Sequence, residues 1–197
     1  PLELDARDFD QVADAFDEAK RLPGTLKGAA NCVGSILLKP AHLTSAAEFE
    51  NTLATNLGSA FATVRSAARA MRRSGGSVVL VSSAAASIGL ANHEAIAAAK
   101  AGVEGLVRAA ATTYAGSGIR VNAIAPGLVN SAMSRRIIEN SKALETSLAL
   151  HPLARVGRPD EIAGLIEWLL GTESDWVTGQ VWGVDGGLAT LKARQSA

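Results

Sequence analysis

Ser83, Lys100, His93, Asn56 and Cys32 are the side chains in this sequence whose types and spacing could do chemistry. Ser83 closes the run Ser77-Val78-Val79-Leu80-Val81-Ser82-Ser83, which reads as a buried parallel strand with polar residues at its end. The carboxyl ends of such strands open into the crevice where parallel sheets bind ligands, so Ser83 is placed to hydrogen-bond a substrate carbonyl. The plainer alternative is a hydroxyl that closes the strand end. Lys100 follows Ile96 by four positions and His93 precedes Ile96 by three, so the three share one helix face. An imidazole with an ordinary pKa near ~6.5 can donate a proton at neutral pH. Against that, His93 comes just after Asn92, the expected helix cap, where a solvated or capping histidine is the ordinary outcome. Asn56, a weak helix former within Ala54-Thr55-Asn56-Leu57-Gly58, is either a site residue or a surface asparagine. Cys32, the single cysteine, reads as a small buried hydrophobe.

The elements that must hold these residues follow from periodicity. Phe9, Val12, Ala13, Phe16 and Ala19 recur at helical spacing from Phe9 to Leu22, until Pro23-Gly24 breaks the pattern. Leu26 to Val33 is a short apolar run that predicts a strand. Ser45 to Arg73 predicts a long helix with Leu53, Leu57, Phe61, Val64, Ala68 and Met71 along one side. Helices are expected from about Asn92 to Ala115 and from Asp160 to Leu170, and strands at Ile119 to Ala125 and Gln180 to Val184. Strands alternating with helices imply βαβ units and a parallel sheet covered on both faces, an α/β fold. One domain over residues 1–197 is expected from the length.

Composition narrows the function classes. Lys plus Arg and Asp plus Glu are 19 each, so no charge excess points to nucleic acid or an anionic membrane. One cysteine excludes an internal disulfide and, with three scattered histidines, argues against a structural metal site. No apolar run approaches the ~20 residues of a membrane span. A reducing, cytoplasmic setting is expected, with small molecules and copies of itself as partners. Trp168, Trp176 and Trp182 read as interface or core.

The ordered set of motifs resembles the short-chain dehydrogenase/reductase family over essentially the whole chain. Asn31-Cys32-Val33-Gly34 stands where the family has Asn-Asn-Ala-Gly, and Asn56 sits at its active-site asparagine. Ser83 ends the next strand, and Lys100 takes the lysine of Tyr-x-x-x-Lys. Ile119 to Gly127 matches the strand and Pro-Gly loop, and Gly179-Gln180 through Val184-Asp185-Gly186-Gly187 the terminal strand. The resemblance implies a Rossmann-like doubly wound parallel sheet and hydride transfer between NAD or NADP and a carbonyl or secondary alcohol. It implies catalytic roles for Ser83, Lys100 and Asn56, and cofactor contacts from Asp5, Asn31, Gly34, Lys100, Pro126, Gly127, Val129 and Ser131. Residues 130–153 would be the substrate lid, the two long helices would form a homodimer or homotetramer, and no metal is implied.

Two departures stand out. No Gly-x-x-x-Gly-x-Gly or Gly-x-Gly-x-x-Gly occurs, so the phosphate-cradling turn is missing. If Asp5 matches the family's adenine-contacting aspartate, residues 1–4 end the third strand and the first two strands are absent. The family's tyrosine position holds Ile96, which cannot donate a proton. Tyr114, the only tyrosine, lies about 20 Å further along the same helix. His93 is then the nearest replacement acid. The expectations divide between an oxidoreductase with an altered proton relay and a non-catalytic interaction subunit, or an inactive fragment of a longer enzyme.

Overall fold

A computed structural model describes residues 1–192; the remainder of the expected domain, 193–197, lies outside the described residues. Helix α1, Phe9–Ala19, starts where the Asp8 carboxylate accepts from the amides of Asp10 and Gln11. Strand β1, Gly28–Asn31, follows. Helix α2, Ala46–Leu53, opens on a capping box in which Ser45 and Glu48 bond each other's backbone amides. It continues through a π-helical turn, Ala54–Gly58, into α3, Ser59–Met71. Then come β2, Gly76–Val81, α4, Glu94–Tyr114, and β3, Ile119–Pro126. The short helices α5, Arg135–Ile138, and α6, Ser141–Leu150, precede α7, Pro159–Leu170, and β4, Val181–Val184.

The four strands are parallel in the order β1-β2-β3-β4. Alternation along β2 and β3 divides the core. Val78, Leu80, Ile119, Val121 and Ala123 face α3 and α4, while Val79 and Ile124 face α7. Each of these side chains is fully or almost fully buried, worth about 1.5–3 kcal/mol apiece for the larger ones. The carboxyl ends of β1, β2 and β3 therefore lie side by side between two helical layers.

Several expectations are corrected. Helices cover both faces, and among the described residues the strands follow one another in a single direction across the sheet. Residues 1–4 form no strand: they have no ladder partner, and an extended segment alone has little to hold it. The long helix is interrupted by the π turn. Helix α4 begins at Glu94 with His93 at the cap position. Asn92 precedes it with a left-handed φ of 64° and makes no cap. Cys32 is exposed, since Asn31 ends the strand and turns the chain outward. Trp168 meets Trp182 edge to face at 5.8 Å, whereas Trp176 is 100% exposed. Among the described residues no helix is long and apolar enough to cross a membrane, and no three potential ligands cluster for a metal.

Candidate active site

A cavity of about 420 Å³ opens at the carboxyl ends of β1, β2 and β3. Ser83, Asn56, Lys100 and Ile96 line it together with Gly34, Pro126, Gly127, Val129 and Ser131, so strand ends, the π turn and one face of α4 converge there. Ser83, Ile96, Pro126, Gly127 and Leu128 also line a neighbouring cavity of about 590 Å³, whose outer wall is α6.

Each polar group is held by a specific local cause. Ser83 Oγ accepts from the Ala85 amide at 3.2 Å in the 3-10 turn Ala84–Ala86, which leaves the hydroxyl proton free to donate. Lys100 is 6% exposed, and its Nζ donates to the Val81 carbonyl at 2.8 Å. Burial pushes its pKa down to about 8, with the Cys32 thiol acting weakly in the other direction. It joins no ion pair found among the described residues. Cys32 also lines the cavity, and desolvation raises its pKa while Lys100 lowers it.

Asn56 sits in the π turn, the kind of helix irregularity that re-aims a side chain. Its Nδ2 donates to the Thr52 carbonyl at 2.9 Å and to Ser35 Oγ at 3.0 Å, and its Oδ1 accepts from the Ser35 amide at 3.2 Å. Asn56 thus ties the Gly34-Ser35 segment to the helix. A Cβ on Gly34 would lie 3.0 Å from Asn56 Oδ1 and 3.5 Å from Lys100 Nζ, so the missing side chain keeps the space before both groups open.

On the far wall, Ser131 Oγ and Ser134 Oγ are 3.1 Å apart, and Ser134 Oγ donates to the Val129 carbonyl. Ile96 is 5% exposed and packs as part of the cavity wall that Ser83 and Lys100 also line.

Three expected residues lie elsewhere. Asp5 is partly exposed and paired with Arg7 at 2.7 Å, whose guanidinium holds its carboxyl at about 2; it lines neither cavity. Asn31 is buried and lines neither: its Nδ2 donates to Thr63 Oγ1 at 2.8 Å and its Oδ1 accepts from the Val33 amide. It shapes the turn after β1. His93 lines only the outer cavity, with Nδ1 2.8 Å from the Ala91 carbonyl. Tyr114 packs against the core at the other end of α4.

Sequence reasoning passed over Ser35, Ser134 and His151, which all border a cavity. The pair Ser131 and Ser134, three apart after Pro126-Gly127, was the available sign of a turn closed by hydroxyls. His151 had no such sign.

Comparison with known proteins agrees with this geometry. A family model described as enoyl-(acyl carrier protein) reductase matches residues 2–189. The chain is 36% identical over 191 residues to the 3-oxoacyl-[acyl-carrier-protein] reductase FabG of Thermotoga maritima, covering 95% of this chain and 76% of that one. It is 34% identical over 192 residues to the inactive 2-(S)-hydroxypropyl-CoM dehydrogenase 2 of Xanthobacter autotrophicus, covering 95% and 84%. Among solved structures, a gluconate 5-dehydrogenase from Burkholderia cenocepacia in complex with NADP and tartrate superposes with a TM-score of 0.91 at 26% identity, over 96% of this chain and 74% of that one. The chain belongs to the short-chain dehydrogenase/reductase family, whose oxidoreductases depend on NAD or NADP.

Proposed function

We propose that this chain is a short-chain oxidoreductase acting on a carbonyl or secondary alcohol, with a site whose proton relay lacks the family's tyrosine. The observation that carries the reading is the meeting of Ser83, Asn56 and Lys100 on one cavity, with Ile96 in its lining. The nicotinamide and ribose end of NAD or NADP fits the residues present. Gly34 leaves room, Lys100 supplies a buried donor beside it, and the Gly127 to Ser131 loop forms the opposite wall.

When bound, that cofactor supplies or accepts the hydride. Ser83, its lone pair engaged by Ala85, offers its proton to the substrate oxygen. Lys100 binds ribose hydroxyls, and Asn56 fixes the Gly34-Ser35 wall. Ile96 excludes water but moves no proton, and His93 borders only the outer cavity. General acid catalysis is worth about 10²–10⁴ in rate, so slow turnover is the expected consequence. The sequence holds no glycine-rich turn for a pyrophosphate, so affinity through these residues alone rests on the nicotinamide end. A homodimer or homotetramer built on α3 and α4 is part of the reading, supported by exposed Phe61 on α3.

Titration of the full chain with NADH and NADPH, followed by fluorescence or calorimetry, tests the first half: saturable binding supports it and none by either removes it. Ile96→Tyr tests the second half, with turnover of small aldehydes and ketones expected to rise about 10²–10⁴-fold. Binding with no rise in the variant leaves the second reading, a non-catalytic interaction subunit. That reading is favoured by Ile96 itself and by likeness to the inactive dehydrogenase.

A further inference from the structure

His151 is a buried titratable group that the proposed chemistry does not use. It follows α6, is 4% exposed, and borders both the outer cavity and a smaller one of about 260 Å³ beneath it. Both ring nitrogens are engaged. Nδ1 lies 2.7 Å from the Ser147 carbonyl, one turn back in α6, and a carbonyl can only accept, so Nδ1 carries the proton. Nε2 lies 3.1 Å from the Leu128 amide, which can only donate, so Nε2 is a bare acceptor. The two contacts together are compatible with a neutral imidazole of one tautomer.

The Leu128 amide belongs to the loop that walls the active-site cavity. The segment after His151 grips the same loop twice more: the Gly157 amide donates to the Leu128 carbonyl at 2.8 Å, and the Asn130 amide to the Gly157 carbonyl at 2.9 Å. Gly127 is packed so closely on the ring that a Cβ there would fall 2.6 Å from Nε2. The ring is thus wedged between the helix it caps and the loop it holds.

We propose that His151 is a positioning residue, an acid-sensitive latch that joins helix α6 to the Gly127 to Ser131 loop and thereby sets the width of the active-site cavity. A proton on Nε2 would put an N–H against the Leu128 N–H, removing the acceptor and leaving a buried cation.

None of the charged and titratable groups around it supplies the Leu128 amide with a replacement acceptor. Asp185, from the end of β4, already accepts from the amides of Gly187 at 2.9 Å and Ala189 at 2.8 Å. Across the smaller cavity Arg155 and Glu161 are paired at 2.7 Å. Lys142 on α6 and His93 at the head of α4 face the outer cavity and would add only positive charge. The protein should therefore open at this point on acidification, with α6 and the loop parting together.

The test is nitrogen NMR of the histidine rings in the full chain, with amide hydrogen exchange, between about pH 8 and about pH 5. At the upper end the His151 signals should show Nδ1 protonated and Nε2 bare, with Leu128 protected. As His151 titrates, Leu128 and α6 should lose protection by roughly fivefold to tenfold in one step. His151→Gln, which keeps an acceptor but cannot titrate, should abolish the step; His151→Leu should lower Leu128 protection at every pH. Nε2 found protonated at the upper end, or titration of His151 with Leu128 exchange unchanged, overturns the latch, and neither result needs the leucine variant to fold.

The effect on ligand binding rests on the proposed function. The NADPH dissociation constant should rise several-fold more on acidification in the parent than in His151→Gln, in which Lys100 titrates unchanged. Absence of both NADPH and NADH binding at any pH removes the proposed function and leaves the NMR result to decide the latch.

Discussion

At the amino-terminal rim of the sheet, Arg120 donates to the carbonyls of Leu169 at 3.0 Å, Val177 at 3.3 Å and Gly171 at 2.8 Å, with Asp175 3.7 Å away. At the carboxyl rim, Lys100 reaches the single carbonyl of Val81. Both are cations withdrawn from water on the same small sheet, yet one has its hydrogen-bonding capacity largely filled and the other keeps donors to spare. Ser83 repeats the pattern, since its hydroxyl proton is uncommitted, while Ser77 at the opposite rim donates to the Leu169 carbonyl at 2.7 Å. Buried polar groups that are fully paired hold a structure together, and those left partly unpaired are available to a ligand.

The contrast can be broken from either rim. The largest effect is expected from Arg120→Met, which removes three hydrogen bonds to carbonyls that each keep another donor; at about 0.5–1.5 kcal/mol per bond the loss should be roughly 2–4 kcal/mol in urea unfolding, with NADPH binding little changed. A comparable loss of binding without loss of stability would erase the distinction.

Lys100 should give a pH signature instead. Its pKa is about 8 in the folded chain against 10.5 ordinarily, so between those values the unfolded chain binds more protons and stability rises with pH. The rise should approach about 3 kcal/mol across that window, and Lys100→Met should flatten it while abolishing cofactor binding. A parent with a flat profile would mean that the ammonium is compensated after all.

The smallest effect is expected at Ser83→Ala, where loss of one turn hydrogen bond should cost about 0.5–1.5 kcal/mol in thermal unfolding, yet lower turnover of a carbonyl substrate by more than that stability change explains.

Much of this division was legible in the residues. Valine-rich runs bounded by polar ends gave the parallel strands, because burial on both faces leaves no polar alternation to confuse the reading. The strand ends then grouped Ser83, Pro126 and Gly127, and helical spacing added Lys100 and Ile96. The π turn was not legible, since Ala54 to Gly58 has ordinary helical content and only the tertiary demand of Ser35 on Asn56 explains it. Asn31 matched a motif but its amide is consumed by Thr63 and Val33, a fact of packing that motif position does not encode. His151 escaped because its partners, Ser147 and Leu128, are brought together by the return of α6 onto the sheet.

The π turn also constrains how this helix can change. An α-helix advances about 100° per residue, so the one surplus residue held between Leu53 and Ser59 offsets the faces of α2 and α3 by that angle. Deleting any single residue there would let a regular spiral form at little local cost. The same deletion would swing Asn56 away from Ser35 and rotate α2, with its capping Ser45, around the α4 surface. Length in this stretch is therefore set by the cavity rather than by the helix: a shortened chain would keep a perfect spiral and lose the wall that Asn56 holds.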